Sequence, residues 1–175
     1  MQVGVHAAVL GEALTREAFE RAREAGVDCP EFWVGDHGLN PDRPDEVERI
    51  RRDLEPVGLR PWSVHADFGP RFDLSGPYAE ARQTGMAVVL LAARLCADVG
   101  GAVVIIHPAA GASGDQRPER LRACRESLEK LLERSAHLPV RFALENMLPG
   151  HMGDRASELE QLLAGLAGGS HRLLL

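Results

Sequence analysis

Six short runs of apolar and β-branched residues, at positions 3–5, 32–34, 62–64, 102–106, 140–144 and 173–175, alternate with longer stretches whose apolar positions recur at helical spacing. In the first of these stretches Leu14, Ala18, Phe19, Ala22 and Ala25 share a face, with Thr15 near the start and Gly26 as the stop. Val47, Ile50, Leu54 and Val57 repeat the pattern ahead of Gly58. The third stretch, about 78–99, is apolar almost all round in its later half (MAVVLLAARLCADV), which predicts the most buried helix. Leu121, Cys124, Leu128, Leu131 and Leu132 stripe a fourth. Leu159, Leu162, Leu163 and Leu166 stripe a fifth, with Asp154 as its cap and Gly168 and Gly169 as its stop.

Strands separated by single helices imply right-handed crossovers and a parallel sheet. Two architectures satisfy that order: an open doubly wound sheet and an incomplete eight-stranded barrel. A nucleotide-binding open sheet carries a glycine-rich turn after its first strand, whereas here the turn reads VHAAVLGEALT, with one glycine. A barrel places polar groups at successive strand ends, as His6, His37, His65, His107 and Glu145 are placed. The expected fold is therefore α/β, an incomplete (β/α) TIM barrel of five βα units plus a sixth strand, forming one domain over 1–175.

Three strand ends carry the candidate chemistry: His65 in PWSVHADF, His107 in AVVIIHPAA and Glu145 in VRFALENM. If these strands are parallel neighbours, two imidazoles and a carboxylate meet at one point, the ligand set of an open zinc site. Glu145 ends a wholly apolar strand, where burial of its charge would be costly without a metal or a hydrogen-bond network. His6 closes the first strand and could line the substrate side. Trp33 could cover a sugar ring face, although both it and Trp62 also suit core packing. Asn146 is placed to orient Glu145 or to touch substrate. His37 and His151 fall in loops rich in glycine and proline and read as exposed; His137 and His171 read as surface. The loop AAGASGD after His107 could form an anion nest or an ordinary turn.

Composition narrows the setting. With 45% apolar and 26% charged residues over 175 positions, the chain reads as soluble and ordered. No apolar run approaches the roughly 20 residues of a membrane helix, and the start MQVGVHAAVLGEALTRE lacks a signal-peptide pattern, so the expected location is the cytoplasm. Cys29, Cys96 and Cys124 are widely separated, which predicts free thiols. A net charge of −6 provides no overall attraction to nucleic acid. Lys130, the only lysine, follows Glu126 by one helical turn and should form a solvated ion pair, which argues against Schiff-base chemistry. Phosphate-loop, H-E-x-x-H and G-x-S-x-G motifs are missing from the sequence.

The segments VHADFGPRFDLS, GGAVVIIHPAAG and FALENM, in this order and spacing, resemble the xylose isomerase-like barrel superfamily. That group includes sugar phosphate isomerases and epimerases and the endonuclease IV enzymes that cut abasic DNA. The resemblance runs from the first strand to the sixth. It implies a divalent ion, zinc or else manganese or magnesium, with Glu145 as a metal-binding carboxylate and one of two glutamates that move a proton. It also matches His65 and His107 to histidines that bind metal in the nuclease branch and often face substrate in the isomerase branch. The family's sixth strand is followed by a metal-binding aspartate, and its last two strands add ligands; this chain ends at Leu175. The expectation is a barrel lacking those two strands, with sheet edges that a second copy could cover. The leading function is metal-dependent isomerisation or epimerisation of a small sugar or sugar phosphate. The alternatives are an endonuclease IV-like phosphodiesterase and a non-catalytic truncated barrel.

Overall fold

The alternating pattern resolves, in a computed structural model, into one sheet wound in a single direction. The structure describes residues 2–11, 13–35, 38–111 and 114–166, and the backbone of 173–174. Strands β1 (Gly4–His6), β2 (Cys29–Trp33), β3 (Ser63–His65), β4 (Val103–Ile106), β5 (Arg141–Leu144) and β6 (Leu173–Leu174) lie side by side in chain order. Every neighbouring pair is parallel. This order decides between the two architectures. A doubly wound sheet reverses at a switch point, so its strands are out of sequence order, whereas parallel strands in unbroken succession wind as a (β/α) barrel. Among the described residues the sheet stays open, with β1 and β6 at its edges.

Helices α1 (Arg16–Glu24), α2 (Pro44–Val57), α3 (Ala79–Asp98), α4 (Arg117–Arg134) and α5 (Ala156–Leu163) fill the crossovers. Thr15 caps α1 as expected, its hydroxyl accepting from the Ala18 amide at 3.3 Å. Pro44 lies in the first turn of α2, where a missing N–H costs little. The third helix is the most deeply buried, from Gly85 and Met86 through Leu95 and Cys96. At α5 the expectation fails. Asp154 is not its cap; the capping position belongs to Arg155, and no side chain caps the helix. Asp154 instead accepts from the Gly150 amide at 2.7 Å and pairs with Arg117. The expected stop at Gly168 and Gly169, like Leu175, His37 and His171, lies outside the described residues.

Strand β2 begins earlier than its apolar run because Pro30 needs to supply only its carbonyl, which accepts from the Trp62 amide at 3.1 Å. Trp62 itself is half exposed rather than packed in the core. The ion pair expected between Glu126 and Lys130 is replaced by a contact between helices, with Glu126 4.0 Å from Arg82 of α3. Arg82 is held toward it by the Gly76 carbonyl at 2.8 Å. Cys96 and Cys124 are buried free thiols, and Cys29 is half-buried.

Because side chains alternate along a strand, the register sorts the sheet into two faces. Phe32, Val64, Val104 and Phe142 are register partners across β2 to β5, and all four are fully buried beneath the helices. Phe19 of α1 meets Phe32 edge-on at 6.5 Å. The opposite parity, Trp33, His65, Ile105 and Ala143, is also in register and faces the barrel interior.

Two arginines of α4 hold the loops above the strand ends. Arg120 is buried against Asp73 and Ser75 from the loop after β3; its Nε and Nη2 donate to the Ser75 hydroxyl at 3.1 and 2.9 Å. Ser75 in turn donates to Asp73 at 2.6 Å, so the buried charges are paired and hydrogen-bonded, the condition under which such a pair is tolerated. Arg117 grips the loop after β5: it pairs with Asp154 and Glu158 and donates to the His151 carbonyl at 2.9 Å. Glu158 also accepts from the Gly153 amide at 2.8 Å.

Two tests follow from this packing. Gly85 of α3 lies so close to the loop after β3 that a Cβ there would sit 2.5 Å from the Phe72 carbonyl oxygen. Gly85→Ala gains about 1 kcal/mol of helix propensity, but the overpacking cost of about 1–3 kcal/mol falls on rigid backbone. The substitution should lower the urea midpoint; a rise would refute the close approach. The second test concerns acid. The Gly150 amide, and then Arg117, hold the Asp154 carboxyl below its ordinary value of 3.8, and Arg117, followed by the Gly153 amide, lowers Glu158 from 4.5. Depressed folded-state values mean that the clamp's stability is fully present above those ordinary values and is lost as pH falls through the depressed ones. Arg117→Met should therefore be less stable than wild type at pH 7, with a gap that narrows on acidification below about pH 4; a gap independent of pH in urea melts would contradict the clamp.

Candidate metal centre

His65 is the last residue of β3, while His107 and Glu145 directly follow β4 and β5. Adjacent parallel strands bring these three ends together. Glu145 Oε2 lies 3.2 Å from His65 Nε2 and 3.4 Å from His107 Nε2. One ligand atom from each of the three residues lies within 4.8 Å of the others, a grouping that could hold a metal ion. Among the described residues it is the only such group.

The surroundings fix both rings. His65 Nδ1 is 2.8 Å from the Ala66 carbonyl oxygen. A carbonyl can only accept, so Nδ1 carries the proton and Nε2 turns its lone pair toward the centre in the neutral ring. Trp33 stacks on His65 almost parallel, 4.3 Å between centroids and 9° between planes. Phe68 packs against His107 at 4.1 Å. Burial holds His107 below its ordinary value, helped by His65 and opposed by Glu145, which favours the neutral imidazole a metal requires. With both Nε2 atoms unprotonated, three lone-pair donors face one another across 3.2–3.4 Å and a cation among them relieves the repulsion. In that state two imidazoles and a carboxylate, one ring oriented by a backbone carbonyl, fit zinc or a similar divalent ion.

Glu145 differs from expectation in one respect. Its side chain is 48% exposed, so the cost of burying a carboxylate is not the reason it stands here. Among the described residues the sheet ends at β6, the neighbour of the strand that Glu145 follows. Asn146 lines the cleft beside it but makes no hydrogen bond to Glu145 among the described residues. Trp33 also lines the cleft, with one face already covered by His65. His6 is set apart from it: its Nδ1 accepts from the Ala8 amide at 3.2 Å, and its ring meets the edge of Trp33 at 5.9 Å, on the side away from the metal group.

Three further residues line this cleft that motif reading did not single out. Glu31 shares the inward parity of Trp33 on β2 and accepts from the Ser63 hydroxyl at 2.5 Å. Strand alternation alone could have found it. Phe68 reaches His107 from the loop after β3. His151, expected at the surface, is half-buried and lines the cleft. No sequence signal marks the last two, because their approach depends on how the loops fold back.

The same architecture occurs in solved sugar epimerases. The chain aligns over 99% of its length with L-ribulose 3-epimerase (TM-score 0.80, 20% identity, 59% of that chain). It matches D-psicose 3-epimerase in the presence of D-fructose over 99% (TM-score 0.80, 15% identity, 62% of that chain). With 3-keto-D-glucoside 4-epimerase from E. coli it aligns over 94% (TM-score 0.70, 18% identity, 64% of that chain). The chain thus spans about three-fifths of the length of these proteins. Curated protein sequences contain no match to it. No helix among the described residues is long and apolar enough to cross a membrane. The family model described as xylose isomerase-like TIM barrel matches residues 19–173, and with strand order, parallel register and strand-end chemistry in agreement, the chain belongs to that family.

Proposed function

We propose that this chain carries the metal-holding part of an active site that isomerises or epimerises a small sugar. The observation that carries this reading is the convergence of His65, His107 and Glu145 within 4.8 Å at the carboxyl ends of three adjacent strands. A bound divalent ion would polarise a carbonyl or hydroxyl oxygen and acidify the neighbouring C–H. The chain's own residues supply the rest of the setting. Trp33 and Phe68 brace the two imidazoles and present apolar surface to the cleft, which suits the C–H faces of a sugar. Glu145, half exposed and within reach of both rings, is the ligand best placed to exchange a proton with a bound substrate.

The charge of the cleft favours a neutral substrate over a phosphodiester. Glu31 and Glu145 both face it, and two carboxylates oppose an anionic backbone. Arg117 and Arg120, which pin the loops, are engaged by Asp154, Glu158 and Asp73. A free ketose or polyol therefore fits the visible walls better than abasic DNA.

Calorimetric titration with zinc and with manganese should show one divalent ion per chain, and an ion at 100 times its dissociation constant should add about 2.7 kcal/mol to stability. His65→Ala, His107→Ala and Glu145→Gln should each weaken it by more than about 100-fold, since even removing a group that merely orients a ligand costs about 10–100-fold. If wild type and the variants show equal, negligible uptake, the metal reading fails. With metal bound, deuterium from solvent should enter D-fructose next to its carbonyl, and Glu145→Gln should abolish the exchange. Metal binding without exchange would leave the centre in place and remove the isomerase assignment.

A further inference from the structure

Trp33 lies on His65 in an arrangement that suits a charged ring better than a neutral one. Its indole is almost parallel to the imidazole, 9° between planes and 4.3 Å between centroids. Two neutral aromatic rings gain more from offset or edge-on contact than from lying face to face, where the like poles of their quadrupoles meet. A ring that carries positive charge reverses the preference, because the indole face is the negative pole. The other ring contacts around the centre, among the described residues, are tilted by 40–68°. Backbone imposes the stack. Trp33 and His65 are register partners on β2 and β3, and the Val34 amide donates to the His65 carbonyl at 3.2 Å. Past the end of β2 the Leu39 amide donates to the Trp33 carbonyl at 2.8 Å, and Gly38 comes so close that a Cβ there would sit 1.9 Å from that oxygen.

Positive charge can reach this imidazole by one route. Nδ1 is engaged by the Ala66 carbonyl, which leaves Nε2, the atom that faces Glu145, to accept a cation. A divalent ion held there draws electron density out of the ring, and the ring turns positive against the indole face. We infer that Trp33 is a positioning residue of the metal centre, whose π face stabilises the His65 imidazole in its metal-bound state and so raises the affinity of the His65–His107–Glu145 group for a divalent ion. The inference rests on the metal reading above and deepens it, since Trp33 offers no ligand atom of its own. It also makes the indole a reporter of the site. Trp62, the other tryptophan, stands half exposed just before β3, at the end of the strand opposite His65.

The test is a zinc titration of the full chain at about pH 8, where protons compete little for an imidazole. Uptake is read by calorimetry, and by tryptophan emission in the Trp62→Phe chain, whose one remaining indole is Trp33. That emission should change saturably, with the midpoint that calorimetry gives. Trp33→Leu, which keeps an apolar side chain without a π face, should bind zinc about tenfold more weakly, the lower end of what losing an outer partner of a metal ligand costs. Trp33→Phe should recover part of the loss. Affinity compares the loaded chain with the empty one, so packing lost equally from both leaves it unchanged. Equal affinity in Trp33→Leu, or a loss that Trp33→Phe does not ease, overturns the inference and leaves the metal reading standing. The same holds if Trp33 emission ignores zinc that calorimetry shows to be bound. If wild type takes up no zinc, the metal reading falls and the inference with it. The emission measurement decides the matter even where a chain substituted at Trp33 folds poorly.

Discussion

Parity along parallel strands is the constraint on which this molecule depends. In a strand, alternate residues face opposite ways, and in an in-register parallel sheet that choice is shared by every neighbour. Phe32, Val64, Val104 and Phe142 take the helix-facing side together. Residues one step along each strand are thereby committed to the interior, and continuing that parity to the strand ends yields His65, His107 and Glu145. A shift of one residue in any of these strands would move its functional group to the helix side and its core residue into the cleft. Hydrophobic burial of the outward row thus fixes the aim of the inward one, which makes the core the first determinant of the site.

Above the strand ends the precision comes from different forces. Ring packing orients the imidazoles, with Trp33 on His65 and Phe68 on His107, and the Ala66 carbonyl selects the His65 tautomer. Charge pins the loops. Arg120 secures the segment after β3 through Asp73 and Ser75, and Arg117 secures the one after β5 through Asp154 and Glu158. Both arginines project from the same helix, so α4 couples two of the three loops around the centre. Loops positioned by a rigid scaffold are where binding groups concentrate, and here the scaffold extends to the loops themselves.

The cleft combines apolar walls with two carboxylates and several imidazoles. Glu145 is half exposed while its two histidine partners are largely enclosed. That asymmetry matters chemically. The imidazoles are held in place by their surroundings, whereas the carboxylate keeps a face toward solvent.

The sequence by itself determined the succession of strands and helices, the parallel winding and the convergence of the three strand-end residues His65, His107 and Glu145, because each follows from short-range periodicity and from chain order. It also revealed the Thr15 cap, whose partner lies three residues away. It misplaced Asp154, His151 and the partner of Glu126 because each is governed by a group distant in sequence, and it placed in the core a Trp62 that stands half exposed. Asp154 looks like a helix cap until Arg117, 37 residues away, is brought beside it. His151 looks exposed until its loop is folded onto Pro108. Local propensity and pleat parity can be read from neighbouring residues, but ion pairing, ring stacking and the burial of a loop depend on which distant surfaces meet, and only the tertiary structure decided that.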